Sequence, residues 1–161
     1  NLLYPFIQEL DRLSKSIKTC PVCHNMDIVA PCDICTNRQR FQHQLCIVAD
    51  INDLWAIEKT GIYSGKYHVL GGILSAVQGT GPEQLTTQTL LQRIKDGTIH
   101  EIIIALTPTL DGQVTMGYLV DLLKSFDGTI TTLANGVPLG AELEYIDDGT
   151  LSLAFRQRKT A

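Results

Sequence analysis

Four cysteines lie close together near the start of the chain, in two Cys-x-x-Cys pairs within the stretch CPVCHNMDIVAPCDIC. They are Cys20, Cys23, Cys32 and Cys35. Each pair can turn two thiolates towards one point, and two such pairs complete the tetrahedral sulfur set of structural zinc sites. Because four sulfurs leave no open coordination position, the pattern favours a structural Zn²⁺ over a catalytic one. We expect removal of the metal to unfold this segment.

Other uses of these cysteines are less favoured. A thioredoxin-like redox motif normally occurs as a single Cys-x-x-Cys beside a βαβ unit, whereas two pairs occur here. Disulfides of a secreted chain are also disfavoured, since four of the five cysteines fall within 20–35 and the fifth, Cys46, stands alone. His24 directly follows Cys23 and could compete as a ligand, but four sulfurs suffice, so we expect its side chain to be exposed.

Acidic residues are the second group that could do chemistry. Asp50 ends one predicted strand, Asp53 lies shortly after it, and Asp111 follows another strand. In a parallel sheet the carboxyl ends of the strands meet at one edge, where carboxylates could bind a hard cation. Helix capping and exposure in loops are the more common uses of such residues. The sequence contains neither a Gly-x-x-x-x-Gly-Lys-Ser/Thr phosphate loop nor a Gly-x-Ser-x-Gly elbow.

The elements that must position these residues follow from the pattern after residue 45. Apolar and β-branched runs predict strands at 45–50, 67–72, 100–107 and 129–134. Amphipathic segments predict helices at 52–61, 83–97 and 112–126. The first of these helices has Asn52 as a plausible N-cap and Gly61 as its stop. The alternation predicts an α/β fold with a mostly parallel four-stranded sheet and flanking helices.

A further helix is predicted before the cysteines. Leu3, Phe6, Leu10, Leu13 and Ile17 recur at steps of three and four and form one apolar stripe. We expect the stripe to pack on a neighbouring element while the opposite, charged face stays in solvent. Because the helical pattern begins at once with no cap before it, we expect residue 1 to be an interior cut.

Composition limits the class of protein. The 161 residues, 44% of them hydrophobic, suffice for one main domain with a small satellite. Neither a membrane span nor a signal peptide is suggested, so we expect a cytoplasmic protein without membrane contact. Thirteen Lys and Arg against 17 Asp and Glu give a net charge of −4. Contact with nucleic acid must therefore be local or made by another part of the protein.

Several consecutive stretches resemble the RecR family of bacterial recombination mediators, from about residue 17 to residue 157. They are the cysteine motif, LCIVADINDLWAIEKTGIYSGKYHVLGG, GTGPEQL, TPTLDGQVTMGYLVDLL and ANGVPLGAELEYIDDGTL. The resemblance implies a Toprim-type sheet, preceded by a helix and a small four-cysteine zinc motif, with the family's helix-hairpin-helix upstream of residue 1. It implies a linker helix at 1–18, the zinc motif at 19–44, the Toprim domain at 45–134, and a Walker-B-like segment and tail at 135–161.

The same resemblance implies a non-enzymatic role in recombinational DNA repair. RecR-like proteins form ring-shaped homo-oligomers, here expected to be dimers or tetramers. With RecO and RecF they help to load RecA on single-stranded or gapped DNA, which they contact mainly through the helix-hairpin-helix. A nucleoid-associated protein is implied. Two rival hypotheses are a metal-dependent Toprim enzyme of phosphoryl transfer and a zinc module that never meets DNA.

The acidic positions depart from the Toprim pattern. That pattern has a glutamate where this sequence has Ala49, and the adjacent Asp50 should point to the opposite face. Within LDGQ, Asp111 matches the first of two family acids and Gln113 replaces the second. One carboxylate is too few to organise a Mg²⁺ site for phosphoryl transfer. Since this edge is implicated in RecO binding in the family, Asp111 is the leading partner-contact residue, followed by Asp53.

The C-terminal part carries further predictions. The run LEYID (143–147) looks Walker-B-like, but without a phosphate loop it cannot hydrolyse a nucleotide alone. The stretch TLSLAFRQRK is predicted as a short helix capped by Thr150. In the family this tail joins neighbouring subunits. Three cations could meet DNA phosphates or form a solvated basic tail, namely Arg156, Arg158 and Lys159.

Overall fold

The computed structural model describes residues 3–134 and 136–158. The helices in this part of the chain are α1 (Leu3–Ser16), α2 (Asp33–Thr36), α3 (Ile51–Thr60), α4 (Thr87–Ile94), α5 (Leu110–Leu122) and α6 (Asp148–Arg156). The strands are β1 (Lys18–Thr19), β2 (Met26–Asp27), β3 (Gln44–Val48), β4 (Lys66–Val69), β5 (Glu101–Ala105) and β6 (Thr129–Thr132). Short 3-10 helices cover Pro82–Gln84 and Leu143–Tyr145. The chain divides into two compact units, residues 1–131 and 132–161.

The main sheet has the strand order β4-β3-β5-β6. β3 pairs in parallel with both neighbours, so that Leu45 lies opposite Lys66 on one side and Ile102 on the other. The crossover connections run through helices, as parallel pairing requires. The predicted α/β fold with a mostly parallel four-stranded sheet is therefore confirmed.

Each face of the sheet has its own apolar cluster. On one face Leu45 packs with Leu90 of α4 and Leu119 of α5. On the other face Cys46 packs with Leu54 of α3. Because successive residues of a strand point to opposite faces, this arrangement buries β3 on both sides. The nearly continuous apolar composition of these strands follows from that double burial.

The first helix does not pack as predicted. α1 has the expected amphipathic pattern, yet none of its described side chains is buried, and Leu10 is 49% exposed. Both faces of the sheet are already covered by other elements, so the stripe does not pack on the sheet. The prediction that the stripe is buried within this chain was therefore wrong.

Both ends of α3 are capped, by Asp50 at the N-terminus and by Gly61 at the C-terminus. Gly61 ends the helix as predicted, with a φ of 67° that favours glycine. The predicted N-cap, Asn52, was wrong, because the carboxylate of Asp50 accepts the N–H of Asn52 at 3.1 Å. Asp53 completes a capping box by accepting the N–H of Asp50 at 3.2 Å.

The other two predicted helices differ at their boundaries. Residues 83–97 do not form one helix, since a 3-10 turn at Pro82–Gln84 is followed by the separate helix α4. α5 starts before the predicted residue 112, because the side chain of Thr109 accepts the N–H of Gly112 and caps the helix. α5 also ends earlier than predicted, at Leu122.

Candidate metal centre and acidic sheet edge

The four cysteine sulfurs converge. Those of Cys20, Cys23, Cys32 and Cys35 all lie within 4.8 Å of one another. The Sγ atoms of Cys23 and Cys32 are 3.4 Å apart, and those of Cys20 and Cys35 are 3.9 Å apart. Zn–S bonds of about 2.3 Å in a tetrahedron require similar separations. Within the described residues, this is the one cluster of three or more His, Cys, Asp or Glu ligand atoms, and it can hold a metal ion.

Short backbone turns bring these sulfurs together. The first pair lies between β1 and β2, where the N–H of Cys20 donates to the carbonyl of Asn25 at 2.7 Å. The second pair lies at α2, since Cys32 precedes that helix and Cys35 is within it. The N–H of Cys32 also points at the sulfur of Cys20, at 3.4 Å. Backbone donors of this kind are typical of sites that stabilise thiolates.

The thiols differ in acidity. Burial opposes ionisation of Cys20, but backbone N–H groups, that of Cys32 foremost, outweigh it and lower the pKa of Cys20 to about 7. A hydrogen bond with Cys35, followed by burial, raises the pKa of Cys23 well above its ordinary value. Burial raises the pKa of Cys32 to about 11. Cys23 and Cys32 therefore keep their protons near neutral pH unless a cation displaces them.

Backbone pairing attaches this motif to the sheet. The N–H of Val69 in β4 donates to the carbonyl of Cys23 at 2.8 Å. β4 is an edge strand of the main sheet, so the metal motif covers part of its outer side. A backbone hydrogen bond thus joins the metal motif directly to the sheet.

Two cationic side chains reinforce the same junction. Arg40, which follows the last cysteine of the motif, forms a partly buried ion pair with Glu58 of α3 and donates to the carbonyl of Gly65 at 2.9 Å. Lys66, the first residue of β4, is only 4% exposed. Its ammonium donates to three carbonyls of the metal motif, those of Ile34 at 2.8 Å and of Cys35 and Asn37 at 2.9 Å. Sequence reasoning missed both cations, because their partners are distant along the chain.

His24 does not have the predicted exposure. It is half-buried and packs edge-on against His68 of β4, with ring centroids 5.4 Å apart. The pairing of Cys23 with β4 explains the error, because it places the next residue against the same strand. His68 is fully buried, and its Nε2 lies 2.9 Å from Oγ1 of Thr86. Burial, and then the charge of Arg93, lowers the pKa of His68 to about 3.

At the carboxyl edge of the sheet, the predicted acids do not gather into one cluster. Asp50 and Asp53 are engaged in the capping box of α3. Asp111 lies half-buried in the first turn of α5, and among these three acids its carboxylate alone accepts no hydrogen bond from a described residue. Ala49 is buried and Gln113 is exposed. Among the described residues, the ligand atoms of these three acids do not form a group that could hold a metal ion.

The position of Asp111 is fixed by its neighbours in α5. A Cβ on Gly112 would lie 1.9 Å from the carbonyl oxygen of Thr107, so the helix begins in close contact with the chain after β5. Oγ1 of Thr115 donates to the carbonyl of Asp111 at 2.7 Å and accepts the N–H of Leu74 at 2.9 Å. Two loops at the carboxyl edge therefore hold the start of α5.

The second unit contains the basic tail. LEYID contributes the 3-10 helix Leu143–Tyr145, and the carboxylate of Asp147 caps α6 by accepting the N–H of Thr150 at 2.9 Å. The prediction of Thr150 as the cap was wrong, because the acid three residues earlier takes that position. Arg156 and Arg158 are exposed, which leaves both guanidinium groups accessible from solvent. Lys159 lies outside the described residues.

Two protein-family models and several known proteins are similar to this chain. Residues 43–134 match the Toprim domain, and residues 136–159 match the C-terminal segment of RecR. A protein from Rhodospirillum rubrum named recombination protein RecR is 45% identical, over 99% of this chain and 81% of its own. Proteins of the same name from Ehrlichia chaffeensis and Maricaulis maris are 45% and 44% identical, over 98% and 99% of this chain and 80% and 79% of theirs. None of the described helices has the length and apolar character needed to cross a membrane.

Proposed function

The chain belongs to the RecR family of recombination proteins, and we propose from this premise that it is a non-enzymatic mediator of recombinational DNA repair. In this proposal it acts with RecO and RecF and helps to load RecA on single-stranded or gapped DNA. A ring-shaped homo-oligomer, a dimer or tetramer, would hold the DNA. The homologues support a role in recombination and repair, and the proposal adds the mode of action and the partners.

The residues of the carboxyl edge are the observation that carries a non-enzymatic role. Ala49 and Gln113 occupy two positions at which the Toprim pattern has acids. Asp50 and Asp53 form a helix cap, which leaves Asp111 as the available carboxylate of this set. Phosphoryl transfer with Mg²⁺ depends on several oxygen ligands that fix the ion and the phosphate. A single half-buried acid is better suited to a contact with a protein donor.

We assign structural Zn²⁺ to the cysteine centre within this proposal. Four thiolates in a closed tetrahedral set are the typical ligands of structural zinc, and soft sulfur donors disfavour Mg²⁺ and Ca²⁺. The bound metal would supply folding free energy to a segment with little apolar core of its own. Its ligands would be Cys20, Cys23, Cys32 and Cys35.

Two groups of charged residues are proposed as contact sites for partners. Asp111, followed by Asp53, is the proposed contact for RecO. The exposed cations Arg156 and Arg158, with Lys159, are proposed to contact DNA phosphates.

The proposed domains are a linker helix (1–18), a zinc motif (19–44), a Toprim domain (45–134) and a C-terminal segment (135–161). The proposed location is the cytoplasm, in association with the nucleoid.

Binding of RecO to two matched acid variants tests the role of the carboxyl edge. Asp111→Asn removes the charge at the start of α5, whereas Asp127→Asn removes an exposed charge beyond its other end. With the full-length protein we expect Asp111→Asn to weaken RecO binding about tenfold or more, as loss of a charge-assisted interface contact does. Asp127→Asn should bind RecO like the wild type.

The outcomes separate the hypotheses. Equal RecO affinities for both variants would contradict the assignment of Asp111. Mg²⁺-dependent DNA cleavage that Asp111→Asn abolishes would favour a Toprim enzyme. A full-length protein that shifts neither gapped nor single-stranded DNA, alone or with RecO, would favour a zinc module that acts away from DNA.

A further inference from the structure

We propose that Lys66 is a positioning residue of the metal centre, through which metal occupancy controls the order of the edge strand β4. Lys66 belongs to the sheet, but its ammonium points into the metal motif. This role depends on the metal-binding geometry of the cysteines and is independent of the role in recombination.

The ammonium of Lys66 has a complete set of partners. A lysine has three N–H donors, and here they meet the carbonyls of Ile34, Cys35 and Asn37 at 2.8, 2.9 and 2.9 Å. All three acceptors lie in or directly after α2. The residue is 4% exposed, so water cannot readily replace these acceptors. A buried charge of this kind is stable only while its partners stay in place.

The segment that provides the acceptors depends on outside support. α2 has four residues, which is too short for a helix to be stable alone. The last carbonyls of any helix lack partners within the helix, and Lys66 donates to them here. One of these carbonyls belongs to Cys35, a candidate ligand. Lys66 therefore fixes the backbone that carries the second cysteine pair.

Charge also connects the lysine to the centre. Four thiolates and one divalent cation carry a net charge of −2, and nearby donors commonly orient and stabilise such ligand sets. Lys66 brings a positive charge to the backbone of this segment from β4. A neutral side chain of similar shape would leave the carbonyls of Ile34, Cys35 and Asn37 without this donor and would remove that charge.

Coupling to the sheet follows from the position of Lys66 in β4. The same strand donates the N–H of Val69 to the carbonyl of Cys23, so both cysteine pairs are attached to it. When the metal leaves, the carbonyls around the ammonium lose their fixed arrangement. The lysine must then find water, which pulls the start of the edge strand out of the core. β5 lies on the far side of β3 from β4, at a distance from this junction, and serves as an internal reference.

Metal release from two lysine variants tests the positioning role. In the full-length zinc-loaded protein, Lys66→Met removes the buried ammonium, and Lys59→Met removes an exposed one at the end of α3. Transfer of Zn²⁺ to a chromogenic chelator should be roughly 10- to 100-fold faster for Lys66→Met, as for other outer residues of metal sites. Lys59→Met should release the metal at the wild-type rate. Wild-type release from both variants would overturn the proposal.

Thermal unfolding separates this role from ordinary core packing. If Lys66 acts through the metal motif, Lys66→Met should lower the melting temperature of the metal-loaded protein but change that of the metal-free protein little. An equal decrease with and without metal would overturn the proposal, because it would identify a purely structural residue.

Hydrogen exchange of the wild-type protein gives a test that holds even if Lys66→Met does not fold. Removal of the metal should lower the protection of the amides of Lys66 and Val69 in β4 about tenfold or more, while amides of β5 keep theirs. Retained protection in β4, or an equal loss in both strands, would contradict the proposed coupling.

Discussion

Cys23 joins the metal motif to the sheet through two different atoms. Its sulfur faces the other three cysteine sulfurs, and its carbonyl accepts the N–H of Val69. A single substitution at this residue should therefore affect both metal content and the edge of the sheet. Cys46 is a useful comparison, because it is also buried but lies in β3, away from the cluster.

We predict that Cys23→Ala abolishes stoichiometric metal binding, whereas Cys46→Ala retains it. Three thiolates bind a closed structural site poorly, while truncation at Cys46 only leaves a small cavity in the core. Metal content per chain after dialysis measures the difference. Equal metal content in the two variants would show that the cysteine cluster is not the site.

His68 should make the stability of the protein depend on acidity. Its pKa falls from 6.5 to about 3 on folding, mainly through burial, so the folded state holds it neutral. Above pH 6.5 the ring of His68 is neutral in both the folded and the unfolded state, so it does not lower the free energy of unfolding. As the pH falls from 6.5 towards 3, the unfolded state gains the proton and stability declines by up to about 1.4 kcal/mol per pH unit.

Replacement of this histidine isolates its contribution. His68→Gln can still bond to Thr86 but does not titrate, so its free energy of unfolding should fall less steeply between about pH 6.5 and 4 than that of the wild type. Denaturant unfolding of both zinc-loaded proteins at matched pH measures the slopes. Parallel slopes would contradict the predicted burial of the neutral ring.

At the scale of elements, α5 is positioned by the fit of one glycine. Gly112 is buried where a Cβ would collide with the carbonyl of Thr107, whereas Gly117, in the same helix, is exposed with nothing within 4 Å. We predict that Gly112→Ala lowers the free energy of unfolding by about 1–3 kcal/mol through overpacking. Gly117→Ala should raise it by about 0.5–1 kcal/mol, since alanine favours helices.

Chemical unfolding of the two alanine variants checks this prediction. The result also bears on function, because Asp111 precedes Gly112 and moves with the start of the helix. A Gly112→Ala protein as stable as the wild type would mean that α5 can shift away from the loop after β5 without loss.

The elements were largely predictable, whereas their junctions were not. Strands such as β5 are β-branched runs, and their alternation with helices limits the sheet to few arrangements. The cysteine spacing likewise predicted one cluster. The error at Asn52 arose because Asp50, an equally good capping residue, lies two residues earlier, and propensity alone does not choose between them. Lys66 was missed because its acceptors lie 29 to 32 residues away, beyond any local pattern.

For the whole molecule, net charge and family membership together limit which residues could contact DNA. The sequence carries a net charge of −4, although it belongs to a family of recombination proteins. In the proposed function, DNA contact through this chain would therefore depend on a few local cations. The exposed guanidinium groups of Arg156 and Arg158 are the proposed ones.

We predict that replacing both arginines by glutamine reduces the salt dependence of DNA binding. Each lost phosphate contact should lower the slope of log K against log salt by about 0.7 on single-stranded DNA. Binding of the full-length protein to a single strand at several salt concentrations measures this slope. Lys59→Gln serves as a control that should leave it unchanged. An unchanged slope in the double variant would place the DNA contacts elsewhere.

In the proposed function, this Toprim sheet takes part in recombination without catalysis. This role is tested most directly by incubating the full-length protein, RecO, RecF, RecA and Mg²⁺ with gapped DNA coated by single-strand binding protein, while RecA filament growth and strand lengths are followed together. We predict faster filament growth with every strand intact, and loss of the acceleration in Asp111→Asn. Shortened strands that appear with the wild type but not with Asp111→Asn would instead identify a nuclease that depends on Asp111.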